Sequence, residues 1–203
     1  MDLLELNTAT NDEFYNIMHR ECLENRTLIL NQDIDDAVIE DYVLYILKWN
    51  KDDRDIQIEK RKPITIIMNS VGGSPLSGSA LIATIMASKT HIRAVGMGLI
   101  ASACFDIYLA CDERISACNA VYLMHDGGLE LSTSSKKMKE TVEFFTTTMA
   151  QNDKKFVLSR TNMDEDFYDS VYGEEFYMYA DKAKELGVVH KIIGEDVDID
   201  YIY

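Results

Sequence analysis

Proline and positive charge are both scarce in this chain. Two prolines occur in 203 residues, and no low-complexity linker interrupts the sequence. That argues against modules strung on flexible linkers and for one domain spanning 1–203. Lys and Arg total 20 against 35 Asp and Glu, a net charge of -15. Such a surface repels phosphate backbones, so neither nucleic acid nor an anionic membrane is an expected partner. Long apolar runs are missing as well. The longest, Ala94 to Phe105, is too short to span a bilayer and is stopped by Asp106. The start, Met1-Asp2-Leu3-Leu4-Glu5, has neither the basic nor the apolar region of a signal peptide.

Cysteine is sparse and badly spaced for a scaffold. Cys104, Cys111 and Cys118 recur every seven residues, which matches neither zinc-ligand spacing nor a disulfide framework. Reduced thiols in a cytoplasmic protein are the expectation. His19, His91, His125 and His190 form no metal-ligand pattern, so no metal or cofactor is expected. No Gly-x-x-x-x-Gly-Lys-Ser/Thr loop occurs, so any use of ATP belongs to a partner.

What is present is a regular alternation of strands and helices. Asn11 or Asp12 can cap a short helix through Met18 and Cys22, and Thr27 to Leu30 reads as a strand. Asp33 to Trp49 reads as an amphipathic helix and Asn50 to Lys62 as a charged loop. Ile64 to Met68 is a continuous apolar strand of the buried parallel type. Ser74 and Pro75 supply an N-cap and a first helical residue for a helix to about Ala87. Strands follow around Ile92, Ile115 and Tyr122, with an apolar helix from Cys104 to Ala110. This order predicts an α/β core with right-handed crossovers, whose ligands bind at the carboxyl ends of the strands.

A long helix is predicted from Ser134 to Arg160, with an apolar stripe at Met138, Val142, Phe145, Met149 and Phe156. Such a stripe packs on the core or pairs with another subunit. Gly127 to Ser132, just before it, can form an exposed strand. The end reads as a short helix from Ala180 to Leu186, a Gly187 C-cap, a strand from Val188 to Ile193 and an acidic, aromatic tail.

Three chemistry-bearing segments fall at strand ends. Ser102 lies between a strand and an apolar helix, a position that holds a hydroxyl clear of the backbone beside a helix N-terminus. His125 ends an apolar strand and can serve as its base. Gly72-Gly73 follows the strand at Ile64. Each alone has an ordinary explanation: an N-cap, a structural histidine, a turn. Three together at successive strand ends point to nucleophilic catalysis.

The segments also resemble those of a known family. Asn69-Ser70-Val71-Gly72-Gly73-Ser74, Gly98-Leu99-Ile100-Ala101-Ser102-Ala103, Leu123-Met124-His125 and the run Glu174 to Gly187 are similar, in order and spacing, to motifs of the proteolytic subunit of the Clp protease. The resemblance covers about Thr27 to Ile193. It implies a crotonase-like fold, a spiral of βαβ units with a projecting strand-helix handle over 126–160, a partner-facing segment over 1–26 and a tail over 194–203. It implies a serine endopeptidase that forms stacked homo-oligomeric rings and degrades unfolded chains delivered by an ATP-driven AAA+ unfoldase. By the same resemblance Ser102 is the nucleophile, His125 the base, and the backbone N–H groups of Gly72 and Ala103 the oxyanion hole. The acid of the triad falls on Glu175, with Asp169, Asp126 and Asp106 as alternatives. Val71 replaces the family's proline, Asp126-Gly127 its Gln-Pro, and Gly173-Glu174 the Asp-Arg pair that helps rings interlock. Two other functions fit the same fold: an acyl-CoA hydratase or isomerase using carboxylates, and an inactive ring subunit.

Overall fold

The computed structural model describes residues 11–128 and 134–202. Helix α1 (Asn11–Glu24) precedes strand β1 (Thr27–Leu30). A π-helical turn, Ile39–Val43, continues into α2 (Leu44–Asp52), and a 3-10 turn at Ile58–Lys60 precedes β2 (Ile64–Ser70). Then come α3 (Pro75–Ala87), β3 (Ile92–Ala101), α4 (Ala103–Ala110), β4 (Glu113–Ser116) and β5 (Val121–Met124). The long helix is α5 (Ser135–Glu143), a π-helical stretch Phe144–Met149, and α6 (Ala150–Arg160). The chain ends with α7 (Glu165–Val171), β6 (Phe176–Tyr179), α8 (Ala180–Glu185), β7 (Lys191–Ile192) and a 3-10 turn at Ile199–Ile202.

The main sheet runs β1-β2-β3-β4-β7, all parallel, with β5 on β3 and β6 antiparallel on β5. Ile64, Ile66 and Met68 are fully buried and Thr65 nearly so, as a parallel strand covered on both sides requires. Strand β3 is the pivot. The sequence suggests that it ends at Gly96, but it continues to Ala101 by changing partner. Arg93 to Gly96 pair with β4, whereas Leu99 to Ala101 pair with β5. The opposite edge shifts register between Met68 and Ser70. There Asn69 Oδ1 accepts the Leu99 N–H at 2.9 Å, filling the irregularity. Gly98 is needed because a Cβ would collide with the Asn69 amide.

Four other expectations change. The helix predicted from Asp33 starts only at Ile39, because Ile34 forms a parallel bridge with Gly73 and Asp35 accepts the Ala37 N–H at 2.8 Å in a turn. Helix α7 and strand β6 have no counterpart in the sequence reading; β6 buries Met178 and exposes Tyr177 and Tyr179, and because the exposed positions are aromatic the sequence shows no apolar-polar alternation. The last strand shrinks to two residues, since the N–H groups of Val188 and Val189 both go to Ala183 O. The apolar stripe of the long helix divides. Phe156 packs on the core, Phe145 and Met149 line a cleft, and Met138 and Val142 remain exposed. The strand expected over Gly127 to Ser132 lies largely outside the described residues.

The far end of α4 is fixed by two arginines. Arg114, 3% exposed, donates to Leu109 O, Val188 O, Arg160 O and Gly187 O. Arg160 donates to Leu109 O, Ala110 O and Cys111 O. Positive groups on the last carbonyls of a helix satisfy its orphan acceptors. The helix that follows Ser102 is thereby anchored at its other end.

Candidate active site

The β3–β5 ladder brings serine and histidine together. Its register pairs Ala101 with Leu123, and the Ser102 N–H extends it by donating to Leu123 O at 3.2 Å. Ser102 follows the end of β3 and His125 the end of β5, so both leave the same edge of the ladder. The adjacency assumed from sequence is thus supplied by strand pairing.

Ser102 has φ 55° and ψ -131°, the left-handed side of backbone space, which side chains other than glycine rarely occupy. The chain turns there from strand into helix, and Ser102 O accepts the N–H groups of Phe105 and Asp106 at 2.8 and 3.3 Å. Its side chain makes no capping bond. Ser74 shows the ordinary alternative: its Oγ accepts the Ser77 N–H at 3.2 Å, as an N-cap does. The Ser102 hydroxyl is therefore not occupied as a cap.

Both residues line a cleft of about 690 Å³ between the sheet edge and the long helix. The Nε2 atom of His125 is buried and has no hydrogen-bond partner among the described residues. A buried imidazole nitrogen left unpaired costs free energy, a cost tolerated where a substrate completes the site.

Gly72 and Gly73 divide their duties differently from the sequence expectation. The Gly72 N–H, expected in the oxyanion hole, donates to Ser70 Oγ at 3.1 Å, and that hydroxyl donates in turn to Gln32 O at 2.6 Å. Gly72 instead provides room: a Cβ there would lie 2.6 Å from Ser102 Cβ and 3.1 Å from Ala103 N. Gly73 lines the cleft. In its bridge, Ile34 N–H takes Gly72 O and Ile34 O takes Ser74 N–H. A parallel bridge of this form turns the N–H of the middle residue, Gly73, to the opposite side. Ala103 opens α4, so its N–H is one of the orphan donors of a helix N-terminus.

The four carboxylates scatter. Asp106 and Asp126 line the cleft. Asp169 lies outside it, held by Lys154 Nζ at 2.7 Å. Glu175 is exposed and accepts from Tyr177 Oη at 2.9 Å, although the β5–β6 register places its backbone beside His125. A fifth, Asp153 on α6, was not foreseen and lines the cleft too, accepting from Tyr168 Oη at 3.2 Å. Its signal in the sequence is a carboxylate four residues after Met149 on an otherwise apolar stripe. Burial, and then the charge of Asp153, push the Asp106 carboxyl well above the usual carboxylate range. Burial raises Asp153 too, against the hydrogen bond from Tyr168.

Among the described residues no group of three or more His, Cys, Asp or Glu could hold a metal ion. Nor is any helix there long and apolar enough to cross a membrane.

A family model described as Clp protease matches residues 9–196. The proteolytic subunit 2 of the ATP-dependent Clp protease from Treponema denticola is 26% identical over 204 residues, covering 96% of this chain and 94% of that one. The subunit of the same name from Bacillus licheniformis is 25% identical over 198 residues, covering 92% and 95%. Among solved structures, a point mutant of ClpP1 from Listeria monocytogenes matches with a TM-score of 0.76 at 22% identity, covering 92% of this chain and 99% of that one. That likeness shows a shared ClpP-type fold, as the parallel sheet and spiral order lead one to expect. The match from residue 9 to residue 196 decides between peptidase and acyl-CoA chemistry on this fold: the chain belongs to the Clp protease family, as a serine-type peptidase subunit.

Proposed function

We propose that Ser102 and His125 carry out peptide-bond hydrolysis, with the N–H groups of Gly73 and Ala103 as the oxyanion hole. The observation that carries this reading is the uncapped Ser102 hydroxyl, on a left-handed turn, in one cleft with the unpartnered His125 Nε2. Ser102 Oγ adds to the scissile carbonyl while His125 takes its proton. The oxyanion is held by the two backbone donors. The C–N bond then breaks, His125 returns the proton to the departing amine, and an acyl ester remains on Ser102. Water, deprotonated by His125, attacks that ester; the acid is released and the proton returns to Ser102. Glu175 supplies the third group, orienting the imidazole once its carboxylate leaves Tyr177.

Exposed Met138, Val142 and Phe144 on the long helix, with Phe14, Tyr15 and Met18 on α1, support assembly. Apolar surface of this kind marks contact with other subunits or partners. We place the protein in the cytoplasm, in homo-oligomeric rings that enclose the clefts. Folded proteins stay out, and an ATP-driven unfoldase delivers unfolded chains.

The test is a serine-directed fluorophosphonate, whose fluoride is displaced by an activated serine oxygen. Labelling of Ser102 alone, lost in Ser102→Ala and in His125→Ala, is expected, together with loss of peptide cleavage in both variants. An unlabelled wild-type protein, or full cleavage by Ser102→Ala, overturns the reading. The first of these results is the one an inactive ring subunit would give.

A further inference from the structure

The cleft beside Ser102 carries an electrostatic bias that peptide hydrolysis itself does not need. Among the described residues its lining includes three aspartates, Asp106, Asp126 and Asp153, and neither lysine nor arginine. Asp106 sits four residues beyond Ser102, in the first turn of α4, and lines the same cleft. Asp153 comes from α6, which packs on α4 across the cleft. Phe105, Phe145 and Met149 supply apolar wall between them.

We propose that Asp106 and Asp153 form the end of the subsite that takes the substrate side chain on the acyl side of the scissile bond, and that this enzyme cuts after lysine or arginine. The inference rests on the serine-peptidase reading above.

Two observations carry it. The first is the fit between lining and ligand. The long aliphatic stem of a lysine or arginine packs on aromatic and thioether walls, while its charged head needs an acceptor at the end. The second is that the pair lacks a positive partner. Asp153 accepts only from the neutral Tyr168 hydroxyl, and neither carboxylate is in an ion pair among the described residues. His125, which lines the same cleft, likewise has an Nε2 with no partner among the described residues. Burial, and for Asp106 the charge of Asp153 as well, favour a proton held on the pair; an entering ammonium or guanidinium group displaces that proton to solvent and supplies the counter-charge instead. Lysines are plentiful nearby on the long helix, yet Lys154 is turned to Asp169 and Glu165.

The experiment uses the assembled wild-type protein and two fluorogenic peptides that differ only in lysine or norleucine before the scissile bond. Norleucine keeps the aliphatic stem and removes the ammonium group. We expect the lysine peptide to be cleaved with a kcat/KM roughly tenfold higher or more, the discrimination a charge-assisted hydrogen bond supplies. Asp106→Asn and Asp153→Asn should each lower the ratio, and the double variant should bring it to about one. A wild-type ratio at or below one overturns the proposal, whether or not the variants fold. So does an Asp106→Asn protein that loses activity on both peptides equally, since that marks a general catalytic or structural role. Fluorophosphonate carries no such side chain and labels Ser102 whatever the pocket prefers. Labelling with a ratio at or below one therefore strikes this proposal alone, whereas absent labelling strikes the peptidase reading beneath it.

Discussion

Phe176 sits opposite Met124 in the antiparallel β5–β6 ladder, so the next residue on each strand, Glu175 and His125, emerges at the same place. The carboxylate is nevertheless turned to Tyr177 Oη, two residues along the same strand. Under the proposed triad this bond is exchanged for one to the imidazole. Glu175→Gln should lower kcat by on the order of a thousandfold, as expected when the group orienting a catalytic imidazole is lost. It should exceed the effect of Asp169→Asn, Asp126→Asn or Asp106→Asn on a norleucine peptide. Tyr177→Phe should raise activity, by up to roughly tenfold, because the carboxylate no longer has a competing donor. Steady-state kinetics on the five variants checks both statements, and a greater loss in any of the aspartate variants assigns the acid elsewhere.

The two glycines should fail differently. Gly72 has φ 98°, and a Cβ would press on Ser102 Cβ at 2.6 Å and Ala101 O at 2.7 Å. Gly72→Ala should displace the nucleophile and lower kcat/KM by about a hundredfold, the scale of an ångström of misplacement. Gly73 has φ 146°, and a Cβ would collide with the Ile34 backbone. Gly73→Ala should break the bridge to Ile34 and show as a fall in the urea midpoint as well as in rate. A Gly72→Ala enzyme with wild-type kinetics would refute the close-packed turn.

Acid should destabilise the fold in two stages. Burial, then the guanidinium groups of Arg114 and Arg160, lower the His190 pKa from 6.5 to about 4. The unfolded chain therefore binds the extra proton first, and stability falls as pH drops from about 6.5 to about 4. Burial pushes Glu113 up, but hydrogen bonds from Lys191, Arg93 and Tyr201 overcome it and hold the pKa at about 2, below its ordinary 4.5. That contribution is present above about 4.5 and is lost as pH falls towards 2. Urea midpoints between pH 7 and pH 2.5 should show both slopes. His190→Gln should flatten the upper one and Glu113→Gln the lower.

Assembly and catalysis should separate along the long helix. Met138→Asp and Val142→Asp change exposed residues and should reduce the mass seen by light scattering. Phe145→Asp changes a cleft wall and should lower peptide cleavage even where the mass is unchanged. A fully active monomer would remove the basis for enclosed rings.

The sequence displayed the elements whose chemistry is local. Ser74-Pro75 marked the start of α3 because an N-cap and a fixed φ act within one turn, and Ile64 to Met68 marked β2 because burial on both faces leaves a continuous apolar run. Ser102 and His125 stand out as candidates for a local reason too, the one at a turn into an apolar helix and the other at the end of an apolar strand. What stayed hidden depends on partners far away in the chain. Ile34 is drawn out of the helical pattern by Gly73, and β3 outruns Gly96 because Asn69 and β5 support it. The choice between the Gly72 and Gly73 amides turns on that same bridge, which no local pattern records. Asp153 comes to face Asp106 only through the packing of α6 on α4.

On one edge strand β3 serves two ladders in succession, its first half with β4 and its second half with β5. Because successive residues of a strand face opposite sides, a slip of β5 by one position would carry His125 to the wrong side of the ladder. No compensating rotation of one side chain could repair that. Turnover in this protein is thus a sensitive gauge of strand alignment, and a single-residue insertion between Gly98 and Ala101 should silence the enzyme while leaving most of its core intact.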